Sequence, residues 1–166
     1  FLFTFSILIK LFTALNPVKF FQNLKDVVIF TFSTSSSSAS IPFTLKAAEE
    51  KYGIDKSIST FTVPLGATIN MDGTAIMQGC ATFFLASLYG IDLGINEIIT
   101  IVITATIASI GTAGIPSAGI VMLTVIFTQI GIPLEGITLL LGVDRLLDMM
   151  RTSVNVSGDL CISCVI

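Results

Sequence analysis

The chain reads STSSSSASIP over residues 33–42, between two stretches that are suited to helices. Serine side chains compete with the hydrogen bonding of a helix, and Pro42 suits the first turn of a new one. The flanking arms, residues 18–33 and 41–52, each have about 12–16 residues, which is roughly 18–24 Å of helix. The hydrocarbon core of a bilayer is about 30 Å thick, so neither arm can cross it. We therefore predict a re-entrant hairpin over residues 17–53, whose two arms enter and leave on one side.

A second polar interruption has the same layout. The chain reads GTAGIPSAG over residues 111–119, between the short apolar arms 98–110 and 120–130. A plain surface loop is the alternative for either tip, but it does not explain why apolar arms flank both. We predict a second re-entrant hairpin over residues 96–131. Below, residues 33–42 are called the first tip and residues 111–119 the second tip.

The segment between the two hairpins, residues 57–90, has Asp72 as its only charged residue. Its middle reads GATINMDGT, a polar and glycine-flanked sequence that predicts a broken transmembrane helix. If this segment crosses the membrane once, the second hairpin must enter from the opposite face. The pattern therefore predicts an all-α membrane protein built as an inverted repeat of a re-entrant helical hairpin plus a broken transmembrane helix, an architecture of secondary transporters.

The remaining segments complete the predicted domain organisation. Residues 1–16 are predicted to be the end of a preceding transmembrane helix, and residues 136–166 a final transmembrane helix with a polar stripe. Together, residues 17–166 form the predicted transport core. Because Phe1 stands inside an apolar run and the chain stops within another, we expect a part of a larger protein, without a signal peptide, that need not be active alone.

Composition supports a membrane setting and excludes several functions. Hydrophobic residues make up 53% of the chain and charged residues 11%, against about 25% charged residues in soluble domains. There is no basic patch for nucleic acid. The absence of histidine excludes a Ser-His-Asp relay and an imidazole zinc site, so we expect no enzyme. The lone pair Cys161 and Cys164 is better explained by packing than by a metal.

The lysines orient the chain in the membrane. All six precede residue 57, while Asp92, Glu97 and Glu135 lie in the opposite loops. The excess of positive charge on the cytoplasmic side predicts that the first hairpin opens to the cytoplasm and the second to the exterior. We expect a multi-pass protein of the plasma membrane.

The final helix carries the strongest functional signal. With Asp144 at zero and about 100° per residue, Asp148 falls near 40°, Arg151 near −20°, Asn155 near 20° and Asp159 near 60°. A charged stripe in lipid costs a few kcal/mol per group, so it must face the protein interior or a watery cavity. An internal salt bridge from Asp148 to Arg151 is the alternative, although it leaves Asn155 and Asp159 unexplained.

These residue types predict two kinds of ligand. A guanidinium binds a carboxylate through two parallel hydrogen bonds, and Asp148, one turn from Arg151, could receive an ammonium group. The pair therefore predicts an acidic amino acid, aided by the helix N-termini at the tips. Hard oxygen ligands from side chains and backbone suit an alkali cation. They are Asn70, Asp72, Asn155 and Asp159, with carbonyls near Gly66, Thr68 and the stretch 109–112. Proton carriage is the alternative for Asp72.

Four ordered motifs resemble the sodium:dicarboxylate symporter family, which includes the excitatory amino-acid transporters. They are the serine run 35–38, NMDGT at 70–74, SIGTAGIP at 109–116 and DMMRTSVNVSGD at 148–159. The resemblance covers about residues 17–166. It implies a sodium-coupled symporter of glutamate or aspartate with an elevator-type motion, no covalent cofactor, and a homotrimer formed through a scaffold that lies outside this chain.

The resemblance also implies roles for individual residues. Arg151 would bind the substrate's side-chain carboxylate and Asp148 its amino group. The substrate-binding residues that it implies are Ser35, Ser37, Thr74, Gly114, Asp148, Arg151, Thr152 and Asn155. The sodium-binding residues that it implies are Gly66, Thr68, Asn70, Asp72, Ser109, Ile110, Thr112, Asn155 and Asp159. Ser35 and Met149 stand at the two positions where different members carry a further arginine.

Other functions stay open at this stage. A proton-coupled carrier of glutamate, aspartate or C4-dicarboxylates is the main alternative. A channel is compatible with the tips. Intramembrane aspartyl proteases carry Gly-x-Gly-Asp, whereas residues 156–159 read VSGD. Arg151 argues against neutral substrates, and Asp148 against dicarboxylates that lack an amine.

Overall fold

The computed structural model describes all 166 residues, and it contains helices but no β-strand. The prediction of an all-helical chain is confirmed. No single helix is at once long enough and apolar enough to cross a membrane. The elements are α1 (Leu2–Phe12), α2 (Pro17–Thr34), α3 (Ser37–Tyr52), α4 (Lys56–Ile69), α5 (Asp72–Leu88), α6 (Ile95–Ile110), α7 (Ala118–Ile130), a short 3-10 helix (Leu134–Gly136) and α8 (Ile137–Val165).

The first tip joins α2 to α3 through a sharp reversal. Ser35 ends α2 in the left-handed conformation, with φ 51° and ψ 31°. Ser36 then caps α3, because its hydroxyl accepts a hydrogen bond from the amide of Ala39 at 3.1 Å. The arms pack along their length, with the rings of Phe30 and Phe43 stacked at a centroid distance of 4.7 Å. The serine run therefore turns the chain and starts the next helix.

Two residues separate α4 from α5. Asn70 and Met71 have non-helical backbone angles, so the polar sequence in the middle of residues 66–74 interrupts the helix. At the start of α4, Asp55 accepts a hydrogen bond from the amide of Ser57 at 2.7 Å. Hydrogen bonds from the hydroxyl of Ser57 and from this amide lower the pKa of Asp55, and the helix begins directly after that residue. Directly after the break, the amides of Gly73 and Thr74 donate to Oδ1 of Asn155 on α8.

Helix α8 is the central element, since it packs against α1, α2, α3, α4, α5 and α7. At 29 residues it is the longest helix, or about 43 Å at 1.5 Å per residue. Two hydrophobic clusters flank it. One joins α5, α6 and α7 around Leu85, Leu123 and Phe127. The other joins α1, α2 and α3 to the C-terminal half of α8 around Phe20 and Leu160. The polar segment of α8 lies between these two cores.

Candidate substrate and ion site

The polar stripe of α8 is buried. Asp144 and Arg151 are each 5% exposed, Asp148 is 1% exposed, and Asn155 and Asp159 are each 3% exposed. A buried charge is costly unless it has a partner, so these groups must be satisfied by each other or by neighbouring helices. Their partners come from the start of α5, the N-terminus of α7 and the break between α4 and α5. We take these partners together with the polar stripe as the candidate site.

Arg151 and Asp148 form a buried ion pair. The Nε of Arg151 donates to Oδ1 of Asp148 at 2.7 Å. This is the i,i+3 pairing considered above as the alternative to a ligand site. It does not satisfy the guanidinium, because Nη1 of Arg151 is buried without a hydrogen-bond partner. That nitrogen lies against α7, where a Cβ on Gly119 would come within 1.4 Å of it.

The second tip closes onto α8 through Ser117. The amide of Ser117 donates to Oδ2 of Asp148 at 2.7 Å, and its hydroxyl donates to Oδ2 of Asp144 at 2.6 Å. Ser117 stands at the N-terminus of α7, where free amides and the helix dipole favour an anion. The anion at this helix end is a carboxylate of the chain itself.

The two tips contact each other. The carbonyl of Gly114 accepts a hydrogen bond from the hydroxyl of Ser36 at 2.7 Å and one from the amide of Ser38 at 3.1 Å. The first tip is buried from Ser35 to Ser37, and the hydroxyl of Ser35 has no partner. The structure therefore brings serines of the first tip and Gly114 of the second tip together at one point.

Asn155 links α8 to the start of α5. Its Oδ1 accepts a hydrogen bond from the amide of Gly73 at 2.7 Å, and its Nδ2 donates to the hydroxyl of Thr74 and to the sulfur of Met71, both at 3.1 Å. The helices approach closely here, because a Cβ on Gly73 would lie 2.5 Å from the carbonyl oxygen of Arg151. Glycine is therefore required at residue 73 by packing.

A second polar cluster lies around Asp159. The Nδ2 of Asn70 donates to Oδ1 of Asp159 at 2.8 Å and to the carbonyl of Asn155 at 3.3 Å. Gly66 provides the space for this carboxylate, since a Cβ there would lie 2.3 Å from Oδ1 of Asp159. Carboxylate and carbonyl oxygens, with no thiol or imidazole among them, are the donors that suit an alkali cation. Three predicted sodium ligands, Asn70, Asn155 and Asp159, are thus in contact.

The side chains of the remaining predicted ligands make no hydrogen bond to these clusters. Asp72 is exposed and has no hydrogen bond or ion pair. The carbonyls of Thr68, Ser109 and Thr112 are the predicted ligands, and the hydroxyls of these residues donate to carbonyls three or four positions earlier at 2.7–2.8 Å. Ile110 is exposed, and Thr152 is buried without a side-chain hydrogen bond. No three acidic or cysteine side chains converge as metal ligands.

Sequence reasoning missed several residues of the site. The sequence predicts Ser117 only as part of the second tip, and it places Asp144 on the polar stripe without assigning it a ligand. Gln78 is fully buried and donates to the carbonyl of Gly119 at 3.2 Å. Asp144 could have been found from its position on the stripe, but nothing in the local sequence marks Ser117 or Gln78.

Comparison with known proteins identifies the family of this chain. A profile of the "Sodium:dicarboxylate symporter family" matches residues 1–166. The chain is 49% identical to excitatory amino acid transporter 3 of Mus musculus over 144 residues, which are 87% of this chain and 28% of that protein. It is 50% identical to excitatory amino acid transporter 1 of Rattus norvegicus over 147 residues, 89% of this chain and 27% of that protein. The chain thus spans little more than a quarter of these relatives, and it belongs to the sodium:dicarboxylate symporter family.

Proposed function

We propose that this chain is the transport core of a membrane symporter that moves glutamate or aspartate together with sodium. The observation that carries the proposal is the buried Arg151–Asp148 pair, whose guanidinium keeps one nitrogen, Nη1, without a partner. A buried donor without an acceptor is unfavourable, and a substrate carboxylate would supply that acceptor. The relatives named above are called excitatory amino acid transporters, which supports the same substrate class.

The proposed binding mode uses both charges of the pair. The side-chain carboxylate of the substrate binds Arg151, and its ammonium group binds Asp148. The other contacts come from residues that surround the pair on α8, on α5 and at the two tips. They are Ser35, Ser37, Thr74, Gly114, Thr152 and Asn155. The short distance between the tips supports this mode, since Gly114 already touches the first tip.

Sodium is proposed as the coupling ion. One proposed site lies beside Gly66. Its oxygen ligands come from the side chains of Asp159 and Asn70 and from the carbonyl of Asn155. We propose that further ions use the carbonyls of Thr68, Ser109, Ile110 and Thr112, and the side chain of Asp72. Asn155 belongs to both proposed sites. Its side chain bonds to the start of α5 beside the substrate site, and its carbonyl accepts from Asn70 in the proposed sodium site.

The proposed mechanism is alternating access by an elevator-type movement in the plasma membrane. Residues 17–53 and 96–131 act as the inner and outer gates, as re-entrant hairpins. The transmembrane segment between the two hairpins is residues 57–90, and the one after the second hairpin is residues 136–166. An earlier transmembrane helix ends within residues 1–16. The core moves against a scaffold outside this chain, through which three copies assemble.

The test is uptake of labelled L-aspartate by the complete transporter in liposomes, with and without an inward sodium gradient. Arg151→Ala is compared with Arg145→Ala, because Arg145 lies on the same helix but is exposed. We expect sodium-dependent uptake that only the Arg151 variant loses. Equal loss in both variants would contradict a specific role for Arg151.

Two further arms separate the alternatives. Uptake that ignores sodium but follows a proton gradient would keep the carrier and reject the sodium sites. Uptake of succinate in preference to aspartate would reject the role of Asp148 as the amine ligand, because succinate has no amino group. No uptake of aspartate under either gradient would reject the substrate assignment.

A further inference from the structure

The second tip reaches α8 through the side chain and the amide of a single residue. Ser117 makes both of the hydrogen bonds that join this tip to α8, at 2.7 Å to Asp148 and 2.6 Å to Asp144. Ser117 itself is exposed, whereas both acceptors are almost fully buried. We call Ser117 together with these two carboxylates the tip contact. Along the chain, Ser117 precedes Asp144 by 27 positions and Asp148 by 31 positions.

The backbone of Ser117 is in an unusual conformation. Its φ of 60° and ψ of 3° lie in the left-handed region, which glycine adopts freely and serine rarely adopts. Glycine would adopt this conformation without strain, yet the chain has serine here. The hydroxyl is what serine adds, and its partner is Asp144. This combination indicates that the hydroxyl has a purpose at the tip beyond forming the turn.

The tip contact occupies the carboxylate that the proposed substrate needs. Oδ1 of Asp148 accepts from Arg151, and Oδ2 accepts from the amide of Ser117. An ammonium group that binds Asp148 must come to an oxygen that Ser117 now covers. Asp144 keeps one buried oxygen, Oδ1, without a partner, so its only hydrogen bond is the one from the Ser117 hydroxyl.

We propose that Ser117 is a positioning residue that holds the second tip shut over the substrate-free site, and that an acidic amino acid binds only after the tip contact opens. The proposal rests on the proposed function. Apparent affinity falls in proportion to the fraction of molecules that are open. The Ser117 hydroxyl therefore sets the apparent affinity for substrate without touching the substrate.

The test uses Ser117→Ala in the complete transporter, which removes the hydroxyl but keeps the amide. A hydrogen bond to a carboxylate changes an equilibrium by about tenfold or more. We expect the KM for aspartate to fall at least about tenfold while the maximal uptake rate stays within twofold. In the substrate-free protein, the amides of residues 112–115 and 117 should exchange with solvent at least about tenfold faster. Thr128→Ala is the control, because its exposed hydroxyl bonds only within α7.

Asp144→Asn is the second variant, because it weakens the acceptor of the same hydrogen bond. It should reproduce both effects, and the double variant should add nothing further. An unchanged or raised KM in Ser117→Ala, or unchanged exchange at the tip, would overturn the proposal. The exchange measurement needs no substrate, so it tests the tip contact even if wild-type uptake of aspartate fails and the proposed function falls.

Discussion

Gly73 lies where α5 approaches the backbone of α8 closely, and its replacement by alanine tests the packing of the site. The new Cβ would lie 2.5 Å from the carbonyl oxygen and 2.9 Å from the Cα of Arg151, while ordinary contacts begin at 3.4 Å. Backbone atoms cannot rotate away as a flexible side chain can, so the helices must separate by about 1 Å, an overpacking that costs about 1–3 kcal/mol. The amide of Gly73 would also move from Asn155.

The expected net effect of Gly73→Ala is a loss of about 2 kcal/mol of stability, since the gain in helix propensity of up to about 1 kcal/mol offsets the weakened hydrogen bond. Thermal unfolding of the complete transporter in detergent measures it. Gly79→Ala is the matched control, because it lies in the same helix with no heavy atom within 4 Å of the new Cβ. If both variants unfold at the same temperature, the predicted backbone contact between α5 and α8 at Gly73 is contradicted.

Two further predictions concern polar contacts. Arg151→Lys keeps the positive charge but loses the two parallel N–H donors that bind a carboxylate, so the KM for aspartate should rise about 10- to 100-fold. The control, Arg145→Lys at an exposed position, should leave the KM unchanged. Equal KM values in the two variants would show that the charge alone is sufficient. Asn70→Ala removes the donor to Asp159 and should lower the free energy of unfolding by about 1–3 kcal/mol, measured by denaturant titration. Its control, Asn23→Ala, removes an exposed bond to Lys51 and should be nearly silent.

The local order of helices and interruptions could be predicted from the sequence. Serine, glycine and proline clusters have direct backbone consequences, and the turn at Ser35 and the break at Asn70 lie inside such clusters. The stripe on α8 could also be predicted, because helical periodicity alone decides which residues share a face. Its burial follows from the cost of exposing charges to lipid.

The contacts between distant segments could not be predicted in this way. The hydrogen bond from Ser36 to Gly114 joins residues 78 positions apart, and no local pattern encodes which atoms meet. The sequence also leaves the partners of Asp148 undecided, since an i,i+3 ion pair and a ligand site have the same sequence pattern. The closure of Ser117 on Asp144 and Asp148 depends on how α7 is docked, which is a tertiary property.

If the chain carries out the transport proposed above and its core returns without substrate, the pairing of Asp148 with Arg151 has an electrical consequence. A lone buried guanidinium carries a desolvation penalty of several kcal/mol, and moving one charge through the membrane field costs about 2.3 kcal/mol per 100 mV. The ion pair is neutral as a unit, so it adds no net charge to the empty core. We therefore expect this pair to add no voltage dependence to the return step. Removing either Asp148 or Arg151 would leave a net charge in the core, and the return step would then depend on the membrane potential. Exchange of substrate for substrate, in which the core never crosses empty, would escape that penalty.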